Sequence, residues 1–409
     1  RNARRSAPML EHLRRRLGSF VWLGSARQHW DAVRLRRTHP EGIVPPAPKR
    51  VVVEPTNACN LGCAYCGNKD MLRPKKYLDV ELYRRLLDEM MTLAIPRLTL
   101  HTIGEPTLHP RIAEMVQMAT EKERVVTLST NGTLLHRDEL ARGLVEAGPH
   151  VLNVSADAAD DETLGKTRDG LKLDVLLEGL RKLRRFRDEF GPVRESPWGR
   201  VRLPTITMTC VLTPHFTRAV ERTFFETYAP YVDDFLFHYP NSHGDYVPDR
   251  AMEPRGWLPR AWKDKLYRAV RYPCHYPWDA LYLLADGTMS VCRFDFDARV
   301  RVGRFGEESL LELWNGQAMR SLRRAHMDFD YKDWSSCENC TAVWYENRGD
   351  HYTVTRKLMK RNGVVPTRDA WLGENPMKKK MGAAGRHGFL GTKRAKSDDA
   401  PGKVEPDLA

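Results

Sequence analysis

From Arg50 to about Pro240 the sequence alternates short β-rich runs with amphipathic stretches, six times over. Val51–Glu54, Arg97–Thr102, Val125–Thr130, Val151–Ser155, Leu203–Leu212 and Asp234–His238 have the composition of strands. Asp79–Leu93, Arg111–Ala119, Asp138–Ala147, Asp174–Phe190 and Thr217–Tyr228 separate them and read as helices. In the first of these, Tyr83, Leu86, Leu87, Met90 and Met91 fall on one face. Gly148 stops the third as a C-terminal cap. Such alternation calls for a parallel sheet with right-handed crossovers. Six units do not close an eight-fold barrel, so the expected fold is α/β, a partial (β/α)6 TIM-like barrel open on one side. Reacting groups in barrels come from the carboxyl ends of the strands, and those ends are where the chemistry is sought.

After the first strand comes Cys59-Asn60-Leu61-Gly62-Cys63-Ala64-Tyr65-Cys66, with the spacing C-x3-C-x2-C. Three thiolates on one short loop can hold three irons of a cubic [4Fe-4S] cluster and leave the fourth open to bind and activate a ligand. The competing readings are zinc, which normally wants four ligands, and three unrelated buried thiols. After the second strand, Gly104 lets backbone approach a ligand and Glu105 offers a carboxylate to an ammonium group. A plain turn before Pro110 is the alternative. After the third, Ser129 and Asn131 could reach a cofactor, or form an ordinary Asn-Gly turn with Gly132. After the fourth, Ser155 and Asp157 suit ribose hydroxyls, and Arg168 suits a carboxylate bidentately. Asp157 could instead cap its loop. His238 and Tyr239, with Asn241, close the sixth strand, where a structural role competes with a substrate-facing one.

The eight cysteines divide into three in that loop, four further on (Cys274, Cys292, Cys337, Cys340) and Cys210 alone in the fifth strand. Asp286-Gly287 between Leu281–Leu284 and Met289–Val291 signals a β-hairpin that would bring Cys274 and Cys292 together. Helix Ser309–Trp314 and the Arg320–His326 region would return the chain to Cys337 and Cys340. Four cysteines can saturate one cluster, which then carries electrons, or hold a zinc. This division fits metal-bound thiolates in a reducing cytoplasm better than disulfides.

The cysteine loop closely resembles that of the radical S-adenosylmethionine (radical SAM) enzymes. The resemblance implies that the open iron chelates SAM. One electron then cleaves SAM to methionine and a 5′-deoxyadenosyl radical, which takes hydrogen from the substrate. Thr102-Ile103-Gly104-Glu105-Pro106 resembles the family's Gly-Gly-Glu motif for the SAM amino group, with Ile103 in place of its first glycine. By the same resemblance Ser155 sits near the ribose and Arg168 on the methionine carboxylate. Cys210 is either a small buried hydrophobe or a thiol that gives hydrogen to a substrate radical, as in some epimerases of the family. The second group, C-x12-G-x4-C followed by C-x2-C, resembles the auxiliary-cluster extension called SPASM in its long form and twitch in its short form. The long form's further cysteines are missing after Cys340, and the layout is most similar to the twitch form of a family member that oxidises an aminocyclitol alcohol. Implied are one SAM-ligating and one auxiliary [4Fe-4S] cluster, and net oxidation of a sugar or cyclitol, with ribosomal-peptide modification as the alternative. An electron donor such as flavodoxin or ferredoxin is also implied.

The rest of the 409 residues is read as appendages: a basic helical extension over 1–48, the barrel over 49–240 and a connector over 241–272. The auxiliary domain follows over 273–345, then a basic, disordered tail over 346–409. Leu10, Leu13 and Leu17 give the extension a helical stripe, which could pack across the barrel or lie on a membrane or partner. Formal net charge is +13, but the basic residues crowd into the two ends, so a nucleic-acid partner is not expected, although a zinc- or nucleic-acid-binding protein is the reading from another class. No run approaches the length needed to span a bilayer, and no secretory signal is seen; a cytoplasmic location is expected.

Overall fold

The computed structural model describes residues 33–34, 37–38, 47–196, 199–238, 240, 273–338, 340 and 350–364. The leucine stripe of 1–48, Tyr239, Asn241 and the connector lie outside the described residues. Strands run in chain order as β1 (Arg50–Val53), β2 (Gly62–Cys63), β3 (Arg97–Leu100), β4 (Val125–Thr130), β5 (Val151–Ser155), β6 (Arg168–Asp169) and β7 (Val193–Ser196). They continue as β8 (Gly199–Arg202), β9 (Thr205–Val211), β10 (Asp234–His238), β11 (Ala280–Leu283), β12 (Thr288–Ser290) and β13 (Arg301–Arg304). The main sheet has the order β10-β9-β5-β4-β3-β1-β11-β12-β13. Its first six members are the expected parallel strands. Val53 pairs with Leu100 on one side, Leu100 with Leu128 next, and Val154 with Met208 further on.

The hairpin does not stand apart from the barrel. β11 pairs in parallel with β1, Val53 opposite Leu283, and only then does the sheet turn antiparallel through β12 and β13. The element bearing Cys292 therefore grows out of the strand that leads to Cys59.

Alternation decides which way each strand faces. On β4, Val126 and Leu128 are buried among helix residues such as Met115 and Leu144, while Val125, Thr127 and Ser129 are half-buried on the opposite, inner face. Helix Val80–Thr92 starts on Asp79, whose carboxylate accepts from Leu82 N at 2.8 Å, and buries Tyr83, Leu86, Leu87 and Met90. Met91, expected beside them, is exposed. Gly148 caps Asp138–Ala147 at φ 65°, as its position foretold.

Some elements escape the sequence reading. Residues given no element in the sequence reading form helix Asp161–Thr167, capped by Asp160, and then β6. β7 and β8 make a separate hairpin. The stretch read as the start of a disordered tail holds helix Asp350–Arg361, with Leu358 and Met359 buried. It packs on β10: Thr355 Oγ1 accepts the Phe237 backbone N–H at 2.9 Å, and Arg361 and Asn362 both donate to Glu221. Among the described residues no helix is long and apolar enough to cross a membrane.

Candidate iron-sulfur and cofactor site

The cysteine loop leaves the end of β1 and is pinned by every neighbour it meets. Thr56 Oγ1 donates to Lys76 O at 2.7 Å, and Asn57 Oδ1 accepts Lys76 N at 2.7 Å. Asn60 donates to Thr133 Oγ1 at 2.8 Å and accepts from Asn131 Nδ2 at 2.9 Å, tying the loop to the end of β4. β2 lies inside the loop and pairs with β6, Cys63 opposite Arg168, and Ala64 N donates to Thr167 O at 3.0 Å. A loop with its backbone this well satisfied presents cysteines without having to order them on binding.

Cys59, Cys63 and Cys66 lie within electrostatic reach of one another. Burial pushes the Cys63 thiol up to about 12, against the opposing pull of Arg168, and raises Cys59 and Cys66 as well. The thiols therefore hold their protons until a metal displaces them. Among the described residues no three His, Cys, Asp or Glu side chains already converge on a point that would hold a single ion. Three soft sulfur donors, none of them disulfide-bonded, are the kind of set that suits an iron-sulfur cluster.

Gly104 serves the scaffold. A Cβ there would stand 2.0 Å from Thr56 O, so the end of β3 packs backbone to backbone on the cysteine loop, and Glu105 N donates to Ala58 O at 2.8 Å. The Glu105 carboxylate is buried and accepts from Thr107 N at 3.0 Å, Thr107 Oγ1, Thr130 Oγ1 at 2.6 Å and Asn131 N at 2.6 Å. Three of these bonds fall on Oε1, which leaves Oε2 able to accept an ammonium donor. Ser129 accepts from Asn153 Nδ2 at 3.1 Å, and Ser155 shares a 2.7 Å hydrogen bond with Thr209; both face the barrel interior.

Asp157 corrects the sequence reading. It is fully buried, accepting from Tyr65 Oη at 2.7 Å, Arg168 at 3.2 Å and Val211 N at 2.8 Å. Its oxygens are committed to the protein, not to a ribose. Arg168 is its ion-pair partner, with Nε 3.0 Å from Oδ2 and the guanidinium over the Tyr65 ring. Arg168 was expected to clamp a ligand carboxylate; the structure shows it anchoring the turn beside Cys63. Cys210 is corrected too. It belongs to the apolar core at 1% exposure, donates to Val211 O at 3.6 Å, and is pushed well up by burial.

In the second group, the Cys292 thiol lies within reach of Cys340 and Cys274, and burial raises it strongly. Phe294 N donates to Cys292 Sγ at 3.4 Å, and Cys274 N donates to His326 Nδ1 at 3.3 Å. Cys337 sits on short helix Ser335–Glu338 and packs, with the other three, against the core.

The sequence reading passed over Tyr65, Glu54 and His101. Tyr65 lies inside the quoted motif, and its position between two cysteines was the signal. Glu54, a carboxylate directly after the Val51–Val53 run of β1, is fully buried. His101, at the end of β3, is held near pKa 4 by burial, then by Arg293 and Arg168.

An incomplete parallel barrel with a three-cysteine loop at a strand end, and a second cysteine set gathered around an added hairpin and a short helix, defines a class of iron-sulfur enzymes that use SAM. Comparison with known families agrees. Residues 53–189 match the radical SAM superfamily, and residues 274–341 match SPASM, described as an iron-sulfur cluster-binding domain. The chain carries a radical SAM domain and a SPASM domain, and these domains imply a SAM-ligating [4Fe-4S] cluster, SAM and an auxiliary cluster. It is 30% identical over 149 residues to the tungsten-containing aldehyde ferredoxin oxidoreductase cofactor-modifying protein of Pyrococcus furiosus, covering 36% of this chain and 42% of that one. It is 38% identical over 109 residues to the GTP 3′,8-cyclase of Chlorobaculum tepidum, covering 26% and 32%. The chain thus spans less than half the length of these curated relatives. Among solved structures, Streptococcus suis SuiB bound to precursor peptide SuiA superposes with a TM-score of 0.55 at 15% identity, over 78% of this chain and 74% of that one.

Proposed function

We propose that this enzyme oxidises an alcohol on a sugar- or cyclitol-type molecule bound inside the barrel. The observation that carries the reading is the chemistry of the inner wall. Thr99, Thr127, Ser129, Asn153, Ser155 and Thr209 alternate inward along β3, β4, β5 and β9 and stand in adjacent registers. Hydroxyls and one amide suit a ligand rich in hydroxyl groups, whose loss a polar wall of this kind would penalise.

Cys59, Cys63 and Cys66 would hold the SAM-ligating cluster, and Cys274, Cys292, Cys337 and Cys340 the auxiliary one. With both in place, the cofactors supply a 5′-deoxyadenosyl radical as hydrogen acceptor and a saturated cluster as one-electron acceptor. The protein's part is to hold the substrate C–H toward the SAM side and to keep water out. The hydroxyl proton must also leave as the carbonyl forms; the inner-wall hydroxyls are too weakly basic to keep it but would relay it outward to solvent. Gly104, Glu105, Asn131 and Arg168 act in this reading by fixing the cysteine loop, with Glu105 Oε2 the acceptor for the SAM ammonium group. A flavodoxin or ferredoxin would supply the electron, in a reducing cytoplasm.

The second reading is modification of a ribosomal peptide, supported at the level of fold by the SuiB likeness. Reduced, iron-loaded enzyme and SAM would be incubated with ring-deuterated cyclitols and hexoses, and separately with short peptides. Deuterium in 5′-deoxyadenosine, together with a ketone product from the ring compounds, is the expected result. Transfer from peptides alone would overturn the sugar reading.

A further inference from the structure

Behind the cysteine loop lies a group of contacts that neither cluster needs for its ligands. Glu54 is fully buried at the end of β1, and three donors make four hydrogen bonds to its carboxylate. Arg73 Nη2 donates to Oε1 at 2.9 Å and Oε2 at 3.0 Å, Thr102 Oγ1 to Oε2 at 2.7 Å, and Ala285 N to Oε1 at 3.0 Å. Ala285 belongs to the β11–β12 turn, so one carboxylate joins the ends of β1 and β3 to the auxiliary hairpin. Arg73 then turns outward, with Nε on Phe296 O at 2.6 Å, and Asp297 Oδ1 accepts Leu72 N at 2.9 Å and Arg73 N at 3.3 Å. The Phe296 ring fills the space beside Gly67, where a Cβ would come within 2.1 Å of Cε1. Gly67 directly follows Cys66, and Phe296 lies just beyond Cys292.

We propose that Glu54, Gly67, Arg73, Phe296 and Asp297 form a rigid joint that sets the position of the auxiliary cysteine element relative to the SAM-side cysteine loop. These are positioning residues. The inference rests on reading Cys59, Cys63, Cys66 and Cys292 as cluster ligands. Two physical arguments carry it. A buried carboxylate-guanidinium pair is costly to break because either charge left alone would be uncompensated, so the joint has one arrangement, even though Arg73 Nη1 is buried without a hydrogen bond among the described residues. A glycine filled by an aromatic ring from the other element leaves no room for sliding. One-electron exchange across the enzyme depends on that separation, and this joint spans the gap.

The test uses the full chain with both clusters loaded. Arg73→Met, Arg73→Lys and Gly67→Ala are compared with the wild type. Iron content and visible absorption come first. Loss of iron already in the wild type would sink the ligand reading, not the joint. With iron retained, both clusters are reduced and the electron-spin relaxation of the SAM-side cluster is measured. The wild type should show relaxation enhanced by its neighbour, R73M and G67A a weakened and broadened enhancement, and R73K a partial return. In protein not yet loaded with iron, hydrogen exchange should rise together at 67–73 and 294–299 in R73M, with β4 unchanged. No enhancement in the wild type, or enhancement and exchange unaltered in R73M and G67A, overturns the proposal. A variant that merely loses melting temperature while keeping wild-type relaxation also counts against it. Should G67A fail to fold, the two Arg73 variants decide the matter alone.

Discussion

The hydroxyl of Tyr65 stands 2.7 Å from Asp157 Oδ2, so the residue between two cysteines of the loop is bonded to the end of a strand three places away in the sheet. Arg168, paired with the same carboxylate, completes the tie. Asp157→Asn would leave a guanidinium buried without its counter-charge, and the unloaded protein should lose about 3–5 kcal/mol in urea unfolding. Tyr65→Phe removes one hydrogen bond to a charged group and should cost about 1.5–3 kcal/mol. If D157N were no less stable than Y65F, the buried pair would not be holding the loop.

The two cysteine sets should separate by phenotype. Replacing Cys59, Cys63 and Cys66 with Ala should abolish 5′-deoxyadenosine release with dithionite and SAM. Changing Cys274 or Cys292 to Ala should spare that release while lowering iron from about eight to about four per chain, by cluster stoichiometry. Persistent cleavage in the first set would refute the assignment.

Two glycines should respond in opposite directions. Gly104→Ala forces a methyl group against Thr56 O and should destabilise by about 1–3 kcal/mol, as overpacking does, with weaker iron retention. Gly165, inside helix Asp161–Thr167, has nothing within 4 Å of a new Cβ. Gly165→Ala should stabilise by about 0.5–1 kcal/mol through helix propensity. Thermal unfolding of both variants is the check.

His150 carries a pH dependence. Burial, then Arg194, lowers its pKa from 6.5 to about 4, and Nδ1 accepts the Val126 N–H at 3.2 Å. The unfolded chain takes up a proton below pH 6.5 that the folded one refuses until about pH 4. Its contribution is present in full above pH 6.5 and is lost as pH falls toward 4. Denaturation series across that window should show the fall in the wild type and a shallower one in His150→Asn.

What could be read in advance follows the range of the interactions. Val51–Val53 and Val125–Thr130 are strands by composition, and each side chain's direction follows from alternation, so the six parallel strands were legible. Cysteine spacing is local, so the candidate ligands were legible as well. Asp157 and Arg168 looked like two separate ligand-binding groups because nothing local couples them. Helix Asp161–Thr167, which the sequence reading did not place, carries the chain from one to the other, and the two meet in an ion pair. The pairing of β11 with β1 was hidden for the same reason. Val193–Ser196 and Gly199–Arg202 carry too many charges to look like strands, and Asp350–Arg361 is so polar that the buried Leu358 and Met359 were missed.

That last helix has a practical consequence. Both family matches end by residue 341, so a version shortened at that boundary would keep every recognisable signature of the superfamily. It would also uncover β10, the outermost strand on its side of the sheet, and strip the Phe237 amide of its acceptor. A bare strand margin invites another chain to zip onto it, and such a truncated protein should precipitate for reasons that have nothing to do with its metal sites.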